Sequence, residues 1–260
     1  MNSIKTFHTP YGKLNLFHND QYITQSFNDG KYWDIDTLLR LQMYIDPCKS
    51  IVEIGAHCGT SSLVYASFLK KEAIVQAYEP QQRLYELLLR NVYDNHLETK
   101  IYPKHCALFC DNRTLTMNNI DLDGSQGIVQ KRYNEEYNLP CNFGGIGLGC
   151  QGEMVEAVTL DSLLETNQLP ESIGFIHCDA QGAENFIFSA AVQTLTHHRP
   201  VVLFEDNATY GTYLYDSVCH NYPEYSTQKF FDIRDFCMST LHYSMCLNQF
   251  NGSIDTLLIP

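Results

Sequence analysis

The chain is short of positive charge. Its 260 residues hold 17 lysines and arginines against 30 aspartates and glutamates, a net charge of −13. No tract of five or more basic residues occurs anywhere. A surface of that sign repels phosphate backbones, so no nucleic-acid partner is expected. No apolar run is long enough to span a bilayer, and no apolar segment with a basic flank opens the sequence. Neither a membrane association nor a signal peptide is therefore expected. No Cys-x-x-Cys pair occurs, although ten cysteines are scattered from Cys48 to Cys246. That spacing argues against zinc and for buried free thiols in a reducing, cytoplasmic setting. Internal repeats and low-complexity tracts are absent as well, and the length suits one large α/β domain over 1–260.

What is present centres on Ile51-Val52-Glu53-Ile54-Gly55-Ala56-His57-Cys58-Gly59-Thr60. The apolar residues predict a strand covered on both faces, ending in a glycine turn that opens a helix over 61–69. Gly55 and Gly59 would let a ligand approach the backbone, and the helix would aim free N–H groups at it. A second apolar strand, 73–78, closes on Glu79-Pro80 about 20 residues later, where a doubly wound sheet holds ribose hydroxyls. A pyrophosphate cradle wants G-x-G-x-x-G after the first strand, but here three residues separate Gly55 from Gly59. With Glu53 two residues earlier, the spacing is the E-x-G-x-x-x-G pattern of S-adenosylmethionine (SAM) methyltransferases, and it disfavours a nicotinamide enzyme.

Periodicity organises the rest. Residues 1–48 read as an extension of short strands (13–17 and 22–24) followed by a helix over 32–45. Helices are expected over 81–93, 159–164, 183–195 and 229–240, and strands over 100–109, 154–158, 173–178 and 201–204. The third of these strand regions ends at Asp179 and the last at Glu205-Asp206. Residues 241–247 and 253–259 predict a C-terminal hairpin. The stretch 121–152, rich in Gly, Asn and Gln, is expected to be an irregular lid on the substrate side. The aromatic run Tyr210–Tyr215 offers faces for stacking on a sugar ring.

These residues together resemble the FkbM-type SAM-dependent methyltransferases. The matching blocks are Val52–Gly59, Tyr78-Glu79-Pro80, Cys106-Ala107-Leu108, Val158–Leu163, Ile176–Glu184 and Pro200–Glu205. Within them His177 stands where the family commonly has Lys, and Gln181 where it commonly has Glu. The resemblance implies a class I methyltransferase fold, Rossmann-like: a mostly parallel seven-stranded sheet with one antiparallel strand from the C-terminal hairpin. It implies a SAM site made by Glu53, Gly55, Ala56, Gly59, Glu79 and Ala107. For the chemistry it implies transfer of a methyl group to a hydroxyl oxygen, with a sugar or other glycosylated small molecule as acceptor. Asp179 and Glu205 are the candidate catalytic residues. Three carboxylates at two neighbouring strand ends, Asp179, Glu205 and Asp206, would also suit Mg²⁺. A general-base role for Asp179 without metal is the competing reading. A SAM-fold partner protein without turnover and an RNA methyltransferase are the alternatives in function.

Overall fold

The computed structural model describes residues 4–70, 72–117, 128–132, 135–139, 148–149, 152–206, 219–227 and 231–260. The chain opens with a hairpin of β1 (Ile4–Thr9) and β2 (Gly12–Phe17). Two short helices follow, α1 (Ile23–Asn28) and α2 (Ile35–Leu41). The region 22–24, expected as a strand, enters α1 instead. The Asp20 carboxylate accepts from the Tyr22 and Thr24 amides and takes up donors that the first turn would leave unpaired. The helix expected over 32–45 shrinks to α2 and a 3-10 turn. Leu38, Leu41 and Ile45 face the core, while Leu39 and Met43 are exposed.

From there the two expected βα units are found. They are β3 (Ser50–Ile54), α3 (Thr60–Phe68), β4 (Val75–Tyr78) and α4 (Gln82–Asp94), followed by β5 (Ile101–Lys104). Pro103 is tolerated because β5 is an edge strand. The strand region expected over 100–109 is split there. β6 (Ala107–Leu108) joins β7 (Arg113–Thr116) and β10 (Met154–Val158) in a separate small sheet. Within 121–152 the described backbone forms an antiparallel hairpin, β8 (Ile128–Arg132) with β9 (Glu135–Leu139). The remaining residues of that expected lid, and Tyr210–Tyr215, lie almost wholly outside the described residues.

The second half contributes α5 (Leu160–Glu165), β11 (Ile173–Cys178), α6 (Glu184–Ser189), α7 (Val192–His198) and β12 (Val201–Glu205). The helix expected over 183–195 is thus two helices that break at Ala190-Ala191. In place of a helix over 229–240 there is one turn, Ile233–Asp235, continued as a π-turn over Phe236–Thr240. The C-terminal pair is β13 (Met245–Leu247) and β14 (Asp255–Ile259).

The main sheet has seven strands in the order β13-β14-β12-β11-β3-β4-β5, with β14 antiparallel to both neighbours. Alternation along β3 fills both faces. Ile51 joins Leu63, Val64, Leu84, Leu87 and Leu88 on one side; Val52 and Ile54 join Leu160, Ile187, Phe188 and Leu195 on the other. Strand order reverses between β3 and β11, and their carboxyl ends open the crevice in which ligands bind in such sheets.

Two of the sequence blocks are scaffold. Asp161 accepts from the Gln193 and Thr194 amides at the start of α7, tying α5 to it. Glu184 accepts from the Ala180 amide and so locks the turn after β11. Buried Asn91 on α4 bonds the Asn15 amide and carbonyl and the Cys58 carbonyl, fastening the N-terminal hairpin beneath the glycine turn. The described cysteines are all free thiols, and no described helix is long and apolar enough to cross a membrane.

Candidate functional site

At the reversal point the ends of β3 and β11 nearly touch. Gly55 has φ +81°, and a Cβ built on it would lie 1.8 Å from the Asp179 carbonyl oxygen. Gly59 has φ +87°, and its missing Cβ would meet Leu88 at 2.6 Å. The two glycines therefore serve chain-to-chain approach: neither of the spaces they leave opens on the cleft. The Gly55 and Ala56 amides both donate to the Tyr78 carbonyl, so the end of β4 is pinned to the turn.

The cleft above this floor is lined by Gly55, Ala56, Glu79, Ala107 and Asp179 among the sequence-predicted residues. It is also lined by Trp33, which the sequence did not single out, and by Tyr78, His177 and Gln181, which the matching blocks contain without a site role. Glu79 is 3% exposed and accepts the His57 amide on one oxygen and the Gln81 amide on the other, each at 2.8 Å. Glu53 does not line the cleft. Its carboxyl lies under the turn, where it accepts the Ser62 hydroxyl of α3. Glu205 stands behind Asp179, and the Gln181 amide reaches both, at 2.9 Å to Asp179 and 3.5 Å to Glu205. His177 faces the cleft with its Nδ1 3.1 Å from the buried Tyr65 hydroxyl.

Asp206 departs from the expected three-acid set. Its Oδ2 accepts from the Arg234 guanidinium at 3.1 Å and the Thr256 hydroxyl at 2.8 Å, so a cation already offsets its charge. Among the described residues no group of three His, Cys, Asp or Glu side chains could hold a metal ion. The Mg²⁺ site built from Asp179, Glu205 and Asp206 does not fit this arrangement. β14 supplies Thr256 and the turn at Ile233 supplies Arg234, and neither neighbour is visible from the spacing of the acids.

Carboxyl groups gather in and around the crevice. Asp179 acts on Asp34, Glu53, Glu79, Glu184, Glu205 and Asp255 by like charge. No Lys or Arg lines the cleft among the described residues. Burial pushes Glu205 up to about 9, and the Asp179 charge adds to it. Burial likewise raises Glu53 to about 8, against the pull of the Ser62 hydroxyl, and Glu79 and Glu184 to about 7. Asp255 rises to about 6, again by burial first. Such a crevice attracts a cation.

The fold keeps protons that the unfolded chain would release near pH 4. Stability is therefore greatest on the acid side and falls as pH rises from about 5 towards 9. The melting temperature is expected to be about 5 °C or more lower at pH 8.5 than at pH 5.5, with Glu205→Gln flattening the slope. Thermal melts followed by circular dichroism check this, and a melting temperature that climbs over the interval contradicts it.

No curated protein matches the chain. Among solved structures it is similar to an FkbM methyltransferase from Methylobacillus flagellatus, at 15% identity and a TM-score of 0.42. That likeness covers 69% of this chain but only 39% of the other. It is similar also to an O-methyltransferase from Bacillus cereus solved with S-adenosylhomocysteine, at 15% identity, 94% and 84% coverage and a TM-score of 0.43. A tRNA m1G37 methyltransferase from Methanocaldococcus jannaschii matches over 40% of this chain and 30% of its own, at 17% identity and a TM-score of 0.30. The family model for the methyltransferase FkbM domain matches residues 53–237, from the acid before the glycine turn to the π-turn after β12. The chain belongs to the FkbM family of SAM-dependent methyltransferases.

Proposed function

We propose that the chain methylates a hydroxyl oxygen of a small, carbohydrate-like acceptor, with Asp179 taking up the hydroxyl proton. The observation that carries this reading is exposed Asp179 on the wall of a cleft that Glu79 also lines, with Gln181 bridging Asp179 to Glu205. SAM supplies a methyl group on a cationic sulfonium and carries an ammonium as well, and the acid-lined crevice suits both charges. Each oxygen of Glu79 spends one lone pair on a backbone amide and keeps another for a ribose hydroxyl. Gly55 and Ala56 hold the turn tight against β4, Ala107 offers a small wall, and Glu53 with Gly59 supports the floor from beneath.

At the other end, Asp179 is exposed, and its charge acts on Glu205. Burial holds the Glu205 carboxyl well above the usual carboxylate range, and Asp179 is the exposed member of the pair, which an acceptor hydroxyl can reach. Gln181 holds the pair in place through its two contacts. Methyl transfer needs the acceptor oxygen aligned and relieved of its proton, and the pair does both by hydrogen bonding. The negative crevice favours neutral polyols over phosphorylated acceptors, and the −13 net charge disfavours RNA.

The test is calorimetric titration with S-adenosylhomocysteine, followed by SAM turnover against a panel of sugars and glycosides. Glu79→Gln sets an amide nitrogen where one oxygen now accepts, and is expected to weaken binding about 30-fold. An unchanged affinity removes Glu79 from the site. A methyl ether product supports the reading, and an N-methyl product or methylated RNA overturns it.

A further inference from the structure

Tyr78 is 1% exposed, yet its hydroxyl has no hydrogen-bond partner among the described residues. A buried tyrosine hydroxyl normally finds one, because leaving it unpaired is costly. Tyr78 is among the residues that line the cleft, and its backbone carbonyl is held by the Gly55 and Ala56 amides. The ring is therefore fixed on a rigid strand end next to Glu79. Ile54, Cys106, Leu108 and Ile187 belong to the same hydrophobic cluster as Tyr78 and also line the cleft. None of them offers a charged or amide group. A flat heteroaromatic base has apolar faces for such walls and a polar edge that needs a partner.

We propose that the Tyr78 hydroxyl reads the edge of the cofactor's nucleobase, hydrogen-bonding a ring nitrogen or the exocyclic amine. The inference rests on the SAM site proposed above and names the residue that selects the base. Ribose held at Glu79 leaves the base to fall beside the preceding residue, in the apolar end of the cleft. Binding then removes the cost of the unpaired hydroxyl, so the base is recognised by relief of that cost as well as by contact.

The experiment compares wild type with Tyr78→Phe by calorimetry, using S-adenosylhomocysteine and S-ribosylhomocysteine. The second ligand keeps the ribose and the amino acid and lacks the base. Tyr78→Phe is expected to weaken S-adenosylhomocysteine about tenfold and to leave S-ribosylhomocysteine unchanged. Its melting temperature without ligand should equal or exceed that of wild type. Equal affinity of both proteins for S-adenosylhomocysteine overturns the proposal and assigns the hydroxyl to a structural water. An equal loss for both ligands also overturns it, since the change would then act on the pocket at large. Wild type that binds S-ribosylhomocysteine as tightly as S-adenosylhomocysteine removes base recognition while sparing the ribose site. Failure of wild type to bind either ligand sinks the underlying SAM site, and the inference with it.

Discussion

Gly55→Ala is expected to lower the melting temperature by about 6–12 °C, or to leave the chain unfolded. Two costs combine. Backbone at φ +81° is left-handed, which charges an L side chain about 1–2 kcal/mol. The added methyl group would also lie 1.8 Å from the Asp179 carbonyl oxygen, so β3 and β11 must move apart at the reversal point. Displacing packed backbone costs a further 1–3 kcal/mol or so. Gly30→Ala separates the two costs. Gly30 has a similar φ, +77°, with nothing within 4 Å of the added Cβ, so it should shift the melting temperature by no more than about 4 °C. Equal shifts for both substitutions would mean that the two strand ends are not in contact.

Asp179→Asn is expected to lower kcat about 100- to 10,000-fold on any hydroxyl acceptor. The substitution keeps shape and loses the negative charge, and with it the ability to take a proton. The Asp179 amide still donates to the Ile54 carbonyl, and an Asn oxygen still accepts from Gln181. Neighbouring carboxyls lose a like charge, so the melting temperature should hold or rise. S-adenosylhomocysteine has no sulfonium charge, and its Kd should stay within about fivefold. Loss of turnover with binding intact identifies Asp179 as the proton acceptor. Full turnover removes it from that role and shifts attention to His177, which faces the same cleft with Tyr65 behind it.

Much of the scaffold was legible because it is local. Apolar runs that end in Gly55, Glu79, Asp179 and Glu205 mark strand ends, and parallel order brings those ends to one edge. The antiparallel strand followed from a C-terminal hairpin with nowhere else to pair. What could not be read is set by chain segments distant in sequence. Arg234 and Thr256 draw Asp206 away from Asp179, and the acids alone looked like a metal set. The β-prone triplet Tyr22-Ile23-Thr24 became helical because Asp20 caps it, a signal that short-range propensity outweighed. Tyr78 was visible only as one more buried strand residue. Its hydroxyl gains meaning from the absence of a partner among the described residues, which no spacing encodes.

The SAM cleft is tested most directly by calorimetric titration of the wild-type chain with S-adenosylhomocysteine at neutral pH. The account predicts saturable one-to-one binding in the micromolar range, weakened by Glu79→Gln. No heat and no saturation at millimolar ligand would contradict it, and would leave the acid-lined crevice as fold without cofactor.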